Sequence, residues 1–145
     1  KVNDRYGHGA GDAILKLLAS EIRHDVRAMD PVYAGASNVY RFGGEEFAVI
    51  LPSMDLDGAS VAAERLRRRI HAKQFQADPL AAPIPGGGVT ISVGVAGAET
   101  GSGWSEVYSA ADQALYRAKD LGRNRVERAD RLAPDVEGSN LAFAG

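Results

Sequence analysis

The feature that most constrains the fold of this sequence is the run "FAVIL" at residues 47–51, which directly follows "GGEE" at residues 43–46. Side chains alternate between the two faces of a strand, and every position of this run is apolar. A strand that is apolar on both faces must be covered on both faces, as in sheets flanked by helices. The run therefore predicts a buried strand that begins at a pair of carboxylates.

Three segments have the four-residue apolar spacing of amphipathic helices. The first helix is predicted over residues 12–29, with Asp12 as its N-cap. The second is predicted over residues 57–72, and the third over residues 104–121, with Ser105 as its cap. Each helix has one apolar stripe and is therefore expected to pack on a sheet.

Four strands are predicted between and after these helices. Residues 38–42 and 45–51 are expected to form a hairpin through Gly43-Gly44, and further strands are expected at residues 89–96 and 125–128. Helices that alternate with strands in this way predict an α/β (α+β) fold, in which helices pack on a sheet of mixed direction.

The two ends of the chain do not fit this alternation. No strand precedes the first helix, so an N-terminal strand of the sheet is expected to be missing from this chain. Residues 130–145 lose the apolar periodicity and are predicted to form a flexible tail.

Composition narrows the functional classes. A chain of 145 residues with 45% apolar residues suits one globular domain. It contains no cysteine, so a metal would need oxygen or histidine ligands, and the setting is expected to be the reducing cytoplasm. The net charge of −2 does not favour a nucleic-acid partner, and the basic run at residues 67–69 is interpreted as a solvated helix face. No apolar stretch has the length of a membrane span, so any membrane anchor would belong to an upstream domain.

The carboxylates of Glu45 and Glu46 allow two interpretations. They would face water if the hairpin turn is an ordinary surface turn. Alternatively, they would bind Mg²⁺, which prefers one or two carboxylates together with waters and phosphate oxygens. Gly43 and Gly44 carry no side chains, so a nucleotide could approach the backbone of this turn closely.

A phosphate site would also need cations, and Lys119 and Arg123 are spaced to lie on one face at the end of the third helix. Basic residues near a helix C-terminus also offset the helix dipole without any ligand. The spacing alone leaves both interpretations open.

Four segments together resemble one family. They are "NDRYGHGAGD" at 3–12, "RFGGEEF" at 41–47, "TISVGVA" at 90–96 and "ADQALYRAKDLGRNRV" at 111–126. Their order and approximate spacing are similar to those of the GGDEF domain, the diguanylate cyclase domain of bacterial signalling, in its GGEEF variant. The resemblance assigns residues 1–129 to this domain, without its N-terminal part.

The resemblance implies a fold like the nucleotide-cyclase and polymerase palm. It also implies a reaction in which two GTP molecules condense to cyclic di-GMP with loss of two pyrophosphates. Each domain would bind one GTP, so the active unit would be a homodimer, with Mg²⁺ or Mn²⁺ as the metal.

The resemblance further implies roles for individual residues. Glu45 would bind the metal and assist deprotonation of the ribose 3′-hydroxyl, and Glu46 would support it electrostatically. Asn3 and Asp12 would hydrogen-bond the guanine edge. The terminal phosphates would be held by Lys119 and Arg123, and Gly43 and Gly44 would adjoin the nucleotide.

The sequence departs from the family pattern at its beginning. In the family, the strand before "ND" carries a second metal-binding aspartate and a Phe-Lys loop that wraps the phosphates, and Lys1 falls just after them. The resemblance therefore implies that the chain lacks a central strand and half of the metal site, and we expect little or no cyclase activity from this chain alone. Two other functions stay open, a catalytically silent module that binds GTP or cyclic di-GMP and regulates a partner, and a non-enzymatic interaction domain.

A second departure concerns product binding. Many family members carry an Arg-x-x-Asp site for cyclic di-GMP before the signature, and "RAMD" at residues 27–30 stands at the expected distance. The connection at residues 31–40 is longer than usual. Arg27 and Asp30, with Arg65 from the next helix, would bind cyclic di-GMP, or Arg27 and Asp30 form an ordinary ion pair at a helix end.

Overall fold

The computed structural model describes residues 8–29, 38–52, 54–73, 88–99, 101–129 and 140–144, with residues 8–10, 27–29 and 140–144 described as backbone only. Its elements, in chain order, are α1 (His8–Met29), β1 (Val39–Gly43), β2 (Glu46–Leu51), α2 (Leu56–Ala72), β3 (Val93–Ala96), α3 (Trp104–Asp120), β4 (Val126–Arg128) and β5 (Asn140–Ala144). The strands form one sheet in the order β1-β2-β5-β3-β4. The β3–β4 pair is parallel and the other pairs are antiparallel, which confirms the predicted mixed sheet.

The three predicted helices are present, but two predicted caps are wrong. Helix α1 begins at His8, so Asp12 lies inside it rather than at its N-cap. The cap of α3 is Gly103, whose N–H donates to Oε2 of Glu106 at 3.2 Å, and Ser105 belongs to the helix. A cap with a side-chain bond occurs at α2, where the Asp55 carboxylate accepts from the N–H of Gly58 at 2.7 Å.

The hairpin is confirmed, with its turn one residue later than predicted. Gly43 pairs with Glu46, so the connecting residues are Gly44 and Glu45. The register shifts between Arg41 and Gly43, where the strand contains a β-bulge. Gly44 has a φ of +50°, in the left-handed region that suits glycine.

Strand β2 is buried on both faces, as its sequence predicted. Phe47, Val49 and Leu51 pack in the layer formed with α1 and α2, together with large aliphatic side chains such as Ile22 and Ile70. On the opposite face, Ala48 packs with α3, whose inward residues are Val107, Ala111, Ala114, Leu115 and Ala118. One layer is thus built from long side chains and the other mainly from alanines.

Alanines bring α3 close to β3, and Gly94 permits the closest approach. A Cβ on Gly94 would lie 2.9 Å from Cα of Leu115, and closer still to the carbonyl oxygen of Ala111 and the amide nitrogen of Leu115. These are backbone atoms of a helix and cannot move aside individually. The glycine of the "TISVGVA" segment is therefore required by packing. That strand begins at Val93 rather than at the predicted residue 89.

The centre of the sheet differs from the sequence-based expectation. Residues 130–145 were predicted to form a flexible tail, and the central strand was predicted to be missing. Instead, β5 lies between β2 and β3, antiparallel to both. Buried strands need partners for their N–H and C=O groups, and "NLAFA" supplies an extended segment without charged residues. Residues 130–139 and 145 lie outside the described residues.

Candidate functional site

The hairpin turn presents its two glutamates differently. Glu45 is an exposed residue of the turn, whereas Glu46 is the first residue of β2 and is partly covered. The carbonyl oxygen of Gly44 accepts from both Nη2 and Nε of Arg41, at 2.6 and 3.0 Å. A Cβ on Gly43 or Gly44 would meet no atom within 4 Å. The turn is therefore fixed by Arg41, with open space around its two glycines.

An ion pair joins this turn to the far end of α3. Nζ of Lys119 donates to Oε1 of Glu46 at 2.8 Å, across 73 positions of the sequence. Both side chains are partly exposed, at 30% for Lys119 and 41% for Glu46, so water screens the pair and its net stabilisation is small. The contact places an acidic segment and a basic segment at one point of the surface.

Residues after α3 form a turn with left-handed backbone, which we call the α3 turn (Gly122–Asn124). The φ angles of Gly122, Arg123 and Asn124 are +110°, +63° and +48°. The N–H of Arg123 donates to the carbonyl oxygen of Ala118 at 2.9 Å, which closes the helix end. Arg123 therefore lies beyond the helix, not on the helical face with Lys119 as its spacing had predicted. Its side chain is exposed and forms no ion pair with the other described residues.

The basic run at residues 67–69 is not the solvated helix face that the sequence suggested. Arg68 is exposed, but Arg67 is only 15% exposed and Arg69 is partly buried against Asp25 and Glu21 of α1. Arg67 donates to both oxygens of Glu64, from Nε at 2.8 Å and from Nη2 at 2.9 Å. Its remaining nitrogen, Nη1, donates to Oδ1 of Asn124 at 2.7 Å.

The contact with Arg67 strongly favours the charged form of the Glu64 carboxylate. The hydrogen bonds and positive charges of Arg67 and then Arg68 lower the pKa of Glu64 to about 2, although partial burial opposes the shift. Arg67 was missed as a candidate because its partner Asn124 is distant in sequence. The signal available locally was the Glu64–Arg67 spacing of three residues, which brings oppositely charged side chains together on a helix.

A pocket of about 230 Å³ lies between α1 and the hairpin. It is lined by Leu15, Lys16, Ala19, Arg23, Val39, Arg41 and Phe47. Its floor is apolar and three of its lining residues are cationic. Asp12 is exposed one helical turn before Leu15 and Lys16, so the predicted guanine-binding carboxylate lies near this pocket along α1.

Other predicted site residues lie only partly within the described structure. Asn3 and Asp30 lie outside the described residues, and Arg27 is described only as backbone of α1. Arg65 is exposed and its Nε lies 3.7 Å from Oδ2 of Asp25. That Asp25 oxygen is buried and accepts no hydrogen bond in the described structure. The product-site residues therefore stay predictions.

The described ranges contain no group of three or more histidine, aspartate or glutamate side chains arranged to hold a metal ion. None of the helices in these ranges combines the length and apolarity needed to cross a membrane. The turn nevertheless offers one ligand that suits a hard cation. Glu45 is an exposed carboxylate, and there is open space beside the glycines that precede it.

Comparisons with known proteins match this chain to one family. The family model described as "Diguanylate cyclase, GGDEF domain" matches residues 1–125. The diguanylate cyclase DgcP of Pseudomonas aeruginosa is 40% identical over 129 residues, 88% of this chain and 17% of that protein. The probable diguanylate cyclase DgcT of Escherichia coli is 39% identical over 127 residues, 87% of this chain and 26% of that protein. The chain thus spans about a sixth to a quarter of the length of these relatives.

Solved structures show the same fold. The GGDEF domain of DgcB from Caulobacter crescentus, solved in complex with c-di-GMP, aligns with a TM-score of 0.73 and 31% identity, over 88% of this chain and 69% of that one. The active GGEEF domain of a diguanylate cyclase from Vibrio cholerae aligns with a TM-score of 0.69 and 27% identity, over 90% of this chain and 76% of that one. The chain belongs to the GGDEF domain family.

Proposed function

We propose that this chain is the catalytic domain of a diguanylate cyclase, which joins two GTP molecules into cyclic di-GMP and releases two pyrophosphates. The observation that carries the proposal is the contact between Glu46 and Lys119. It brings the acidic hairpin turn beside basic residues at the end of α3, so that carboxylates and cations can act on one triphosphate.

In this reaction each ribose 3′-hydroxyl attacks the α-phosphorus of the opposite GTP. One P–O bond forms, the bond to the β-phosphate oxygen breaks, and the 3′-hydroxyl loses its proton. Glu45 is exposed and follows two glycines with open space around them, so it is assigned to assist this proton transfer, and Glu46 supports it electrostatically. Glu45 would be a ligand of a bound Mg²⁺ or Mn²⁺, which would lower the pKa of the 3′-hydroxyl and offset phosphate charge.

Lys119 and Arg123 are assigned to the terminal phosphates. Lys119 is paired with Glu46, so binding a triphosphate requires it to exchange a carboxylate partner for a phosphate partner. Arg123 is exposed and needs no such exchange. Asn3 and Asp12 are assigned to the guanine, beside the pocket whose apolar floor and cationic rim suit a nucleotide.

Two further assignments follow from the same proposal. Since one domain holds one GTP, catalysis requires a homodimer with facing sites, in a compartment that supplies GTP, the cytoplasm. Arg27, Asp30 and Arg65 are assigned to feedback binding of cyclic di-GMP, the ligand present in the related DgcB structure. Residues 1–145 alone are expected to yield little product, because "NLAFA" of β5 puts no carboxylate into the centre of the sheet.

The test is chromatographic detection of cyclic di-GMP after incubation with GTP and Mg²⁺. It uses residues 1–145 and, alongside, the protein extended upstream by the strand that the family places before residue 3. Product from the extended protein, abolished in Glu45→Gln and retained in Asp57→Asn, supports the proposal. Asp57 is a matched control because it is an exposed carboxylate on α2 that pairs with Arg128, away from the hairpin turn.

The alternative is a silent module that binds GTP or cyclic di-GMP without turnover. A folded, dimeric extended protein that binds GTP but makes no product would overturn the cyclase proposal in favour of that module. Absence of any guanine-nucleotide binding would instead favour the non-enzymatic interaction domain.

A further inference from the structure

We propose that Arg67 of α2 is a positioning residue that fixes the α3 turn and thereby presents Arg123 to the terminal phosphates of GTP. The inference rests on the proposed function, because it takes Arg123 as a phosphate ligand. It adds a residue from a different helix, which touches no phosphate itself.

The first step concerns the backbone of the α3 turn. Arg123 and Asn124 both have a left-handed φ, which is unfavourable for a residue with a Cβ and least so for asparagine. A local sequence preference therefore does not fix two such residues in succession. The turn must be held by contacts from outside.

The second step identifies those contacts. The N–H of Arg123 bonds to Ala118 on one side, and on the other the carbonyl oxygen of Arg125 accepts from the N–H of Val93 at 2.9 Å. Between these two anchors, the described side-chain hydrogen bond to the turn is the one from Nη1 of Arg67 to Oδ1 of Asn124, at 2.7 Å. Arg67 therefore contacts Asn124, which lies between the two residues that backbone hydrogen bonds hold in place.

The third step is that Arg67 is itself held rigidly. Its Nε and Nη2 bond to both oxygens of Glu64, which is the paired geometry that orients a guanidinium plane. With 15% of its side chain exposed, Arg67 has little freedom to rotate. Glu64 and Arg67 thus form a bracket on α2, and this Glu64–Arg67 bracket points at Asn124.

The last step contrasts the two arginines. The guanidinium of Arg67 is committed to Glu64 and Asn124, while that of Arg123 is exposed on the turn that Arg67 holds. Loss of Arg67 should therefore not remove a phosphate contact directly. It should let Arg123 sample positions away from the triphosphate, which weakens contacts to the terminal phosphates only.

The experiment measures affinity for GTP and for GMP by calorimetry in the full protein, together with KM and kcat. Arg67→Ala is expected to weaken GTP binding and raise KM about tenfold, with a smaller change in kcat and in GMP affinity. GMP lacks the terminal phosphates, so it reports on general damage to the site. Arg68→Ala is the matched control, because Arg68 also bonds to Glu64, at 2.7 Å, yet is 74% exposed.

A second variant separates contact from folding. Asn124→Gly keeps a residue that accepts the left-handed backbone but removes the oxygen that Arg67 contacts. It is expected to reproduce the GTP defect of Arg67→Ala, and Asn124→Asp, which keeps an acceptor oxygen, is expected to restore affinity. Combining Arg67→Ala with Arg123→Ala should add little to Arg123→Ala alone, because both act on one contact.

The outcomes distinguish this inference from the proposed function. If Arg123→Ala weakens GTP binding while Arg67→Ala matches Arg68→Ala, the positioning role is wrong and the cyclase proposal stands. An equal loss of GTP and GMP affinity in Arg67→Ala also overturns it, since that indicates general destabilisation. If the unmodified protein does not bind GTP, both proposals fail. Amide exchange at Arg123, expected to accelerate in Arg67→Ala but not in Arg68→Ala, tests the bracket without any nucleotide.

Discussion

Glycine is used in opposite ways at the edge and at the centre of this sheet. At the edge, Gly43 ends β1 and Gly44 lies in the hairpin turn, and Cβ atoms added to them would meet open space. At the centre, Gly94 of β3 lies against the backbone of α3, where a Cβ has no room. Packing therefore explains the glycine at position 94 but does not explain Gly43 and Gly44. The contrast predicts that a side chain added at position 94 disturbs the fold, whereas one added at position 43 changes stability little.

The largest effect is expected from Gly94→Ala. The new methyl would overlap backbone atoms of Ala111 and Leu115, so α3 must move away from β3. We expect a loss of about 3 to 4 kcal/mol in the free energy of unfolding, measured by urea denaturation. Because α3 carries Lys119, nucleotide binding should fall as well. A loss below about 0.5 kcal/mol would mean that α3 does not pack this closely, and would remove the contrast with the edge.

The next largest effect is expected from Ala142→Pro in β5. Ala142 is paired with Val49 on one side and with Val95 on the other. Proline has no N–H and fits poorly in a strand with neighbours on both sides, so unfolding free energy should fall by about 3 kcal/mol. Ala142→Gly, which keeps the N–H, is the control and should lose much less. Equal denaturation midpoints for the parent and Ala142→Pro would show that residues 140–144 are not the central strand.

A smaller effect on the free energy of unfolding is expected at the Glu64–Arg67 bracket when the pH is lowered. The folded pKa of Glu64 is about 2, below its ordinary value of 4.5, so its contribution is complete above pH 4.5 and is lost as pH falls toward 2. After allowance for solvent screening of this partly exposed group, we expect about 1 kcal/mol. Glu64→Gln should flatten the decline of unfolding free energy between pH 4.5 and 2 relative to the parent. If this decline is the same in Glu64→Gln and in the parent, the Glu64–Arg67 bracket contributes nothing to stability.

The elements of the fold that were predicted correctly are determined by residues that lie close together in the sequence. Apolar residues at every position of 47–51 predicted a strand covered on both faces, and the four-residue spacing predicted α1, α2 and α3. The turn was misplaced by one residue because the bulge between Arg41 and Gly43 shifts the register, and no local pattern marks it. The N-cap of α1 was also misplaced. The helix begins four residues before Asp12, although those residues include glycines, which are unfavourable in helices.

The parts that could not be predicted depend on contacts between distant segments. The position of β5 is decided by the gap between β2 and β3, which exists only once the rest of the sheet has formed. The role of Arg67 is decided by Asn124, 57 positions later. For the site, the family resemblance named Glu46 and Lys119, and the structure adds that they touch. Sequence alone could not show this contact, because 73 positions separate the two residues.

The smallest effect on stability, and the sharpest test of the comparison, is expected from Gly43→Ala. An added Cβ meets no atom within 4 Å and Gly43 is not among the residues with a left-handed backbone, so the unfolding free energy should change by less than about 0.5 kcal/mol. If the open space beside the turn is where a nucleotide lies against the backbone, the same methyl should raise KM for GTP about tenfold. Tyr40→Leu, which alters another exposed residue of β1 and leaves the glycines unchanged, is the control. A Gly43→Ala protein with unchanged stability and unchanged KM would show that this glycine serves neither the fold nor the nucleotide, and the edge of the sheet would then need another explanation.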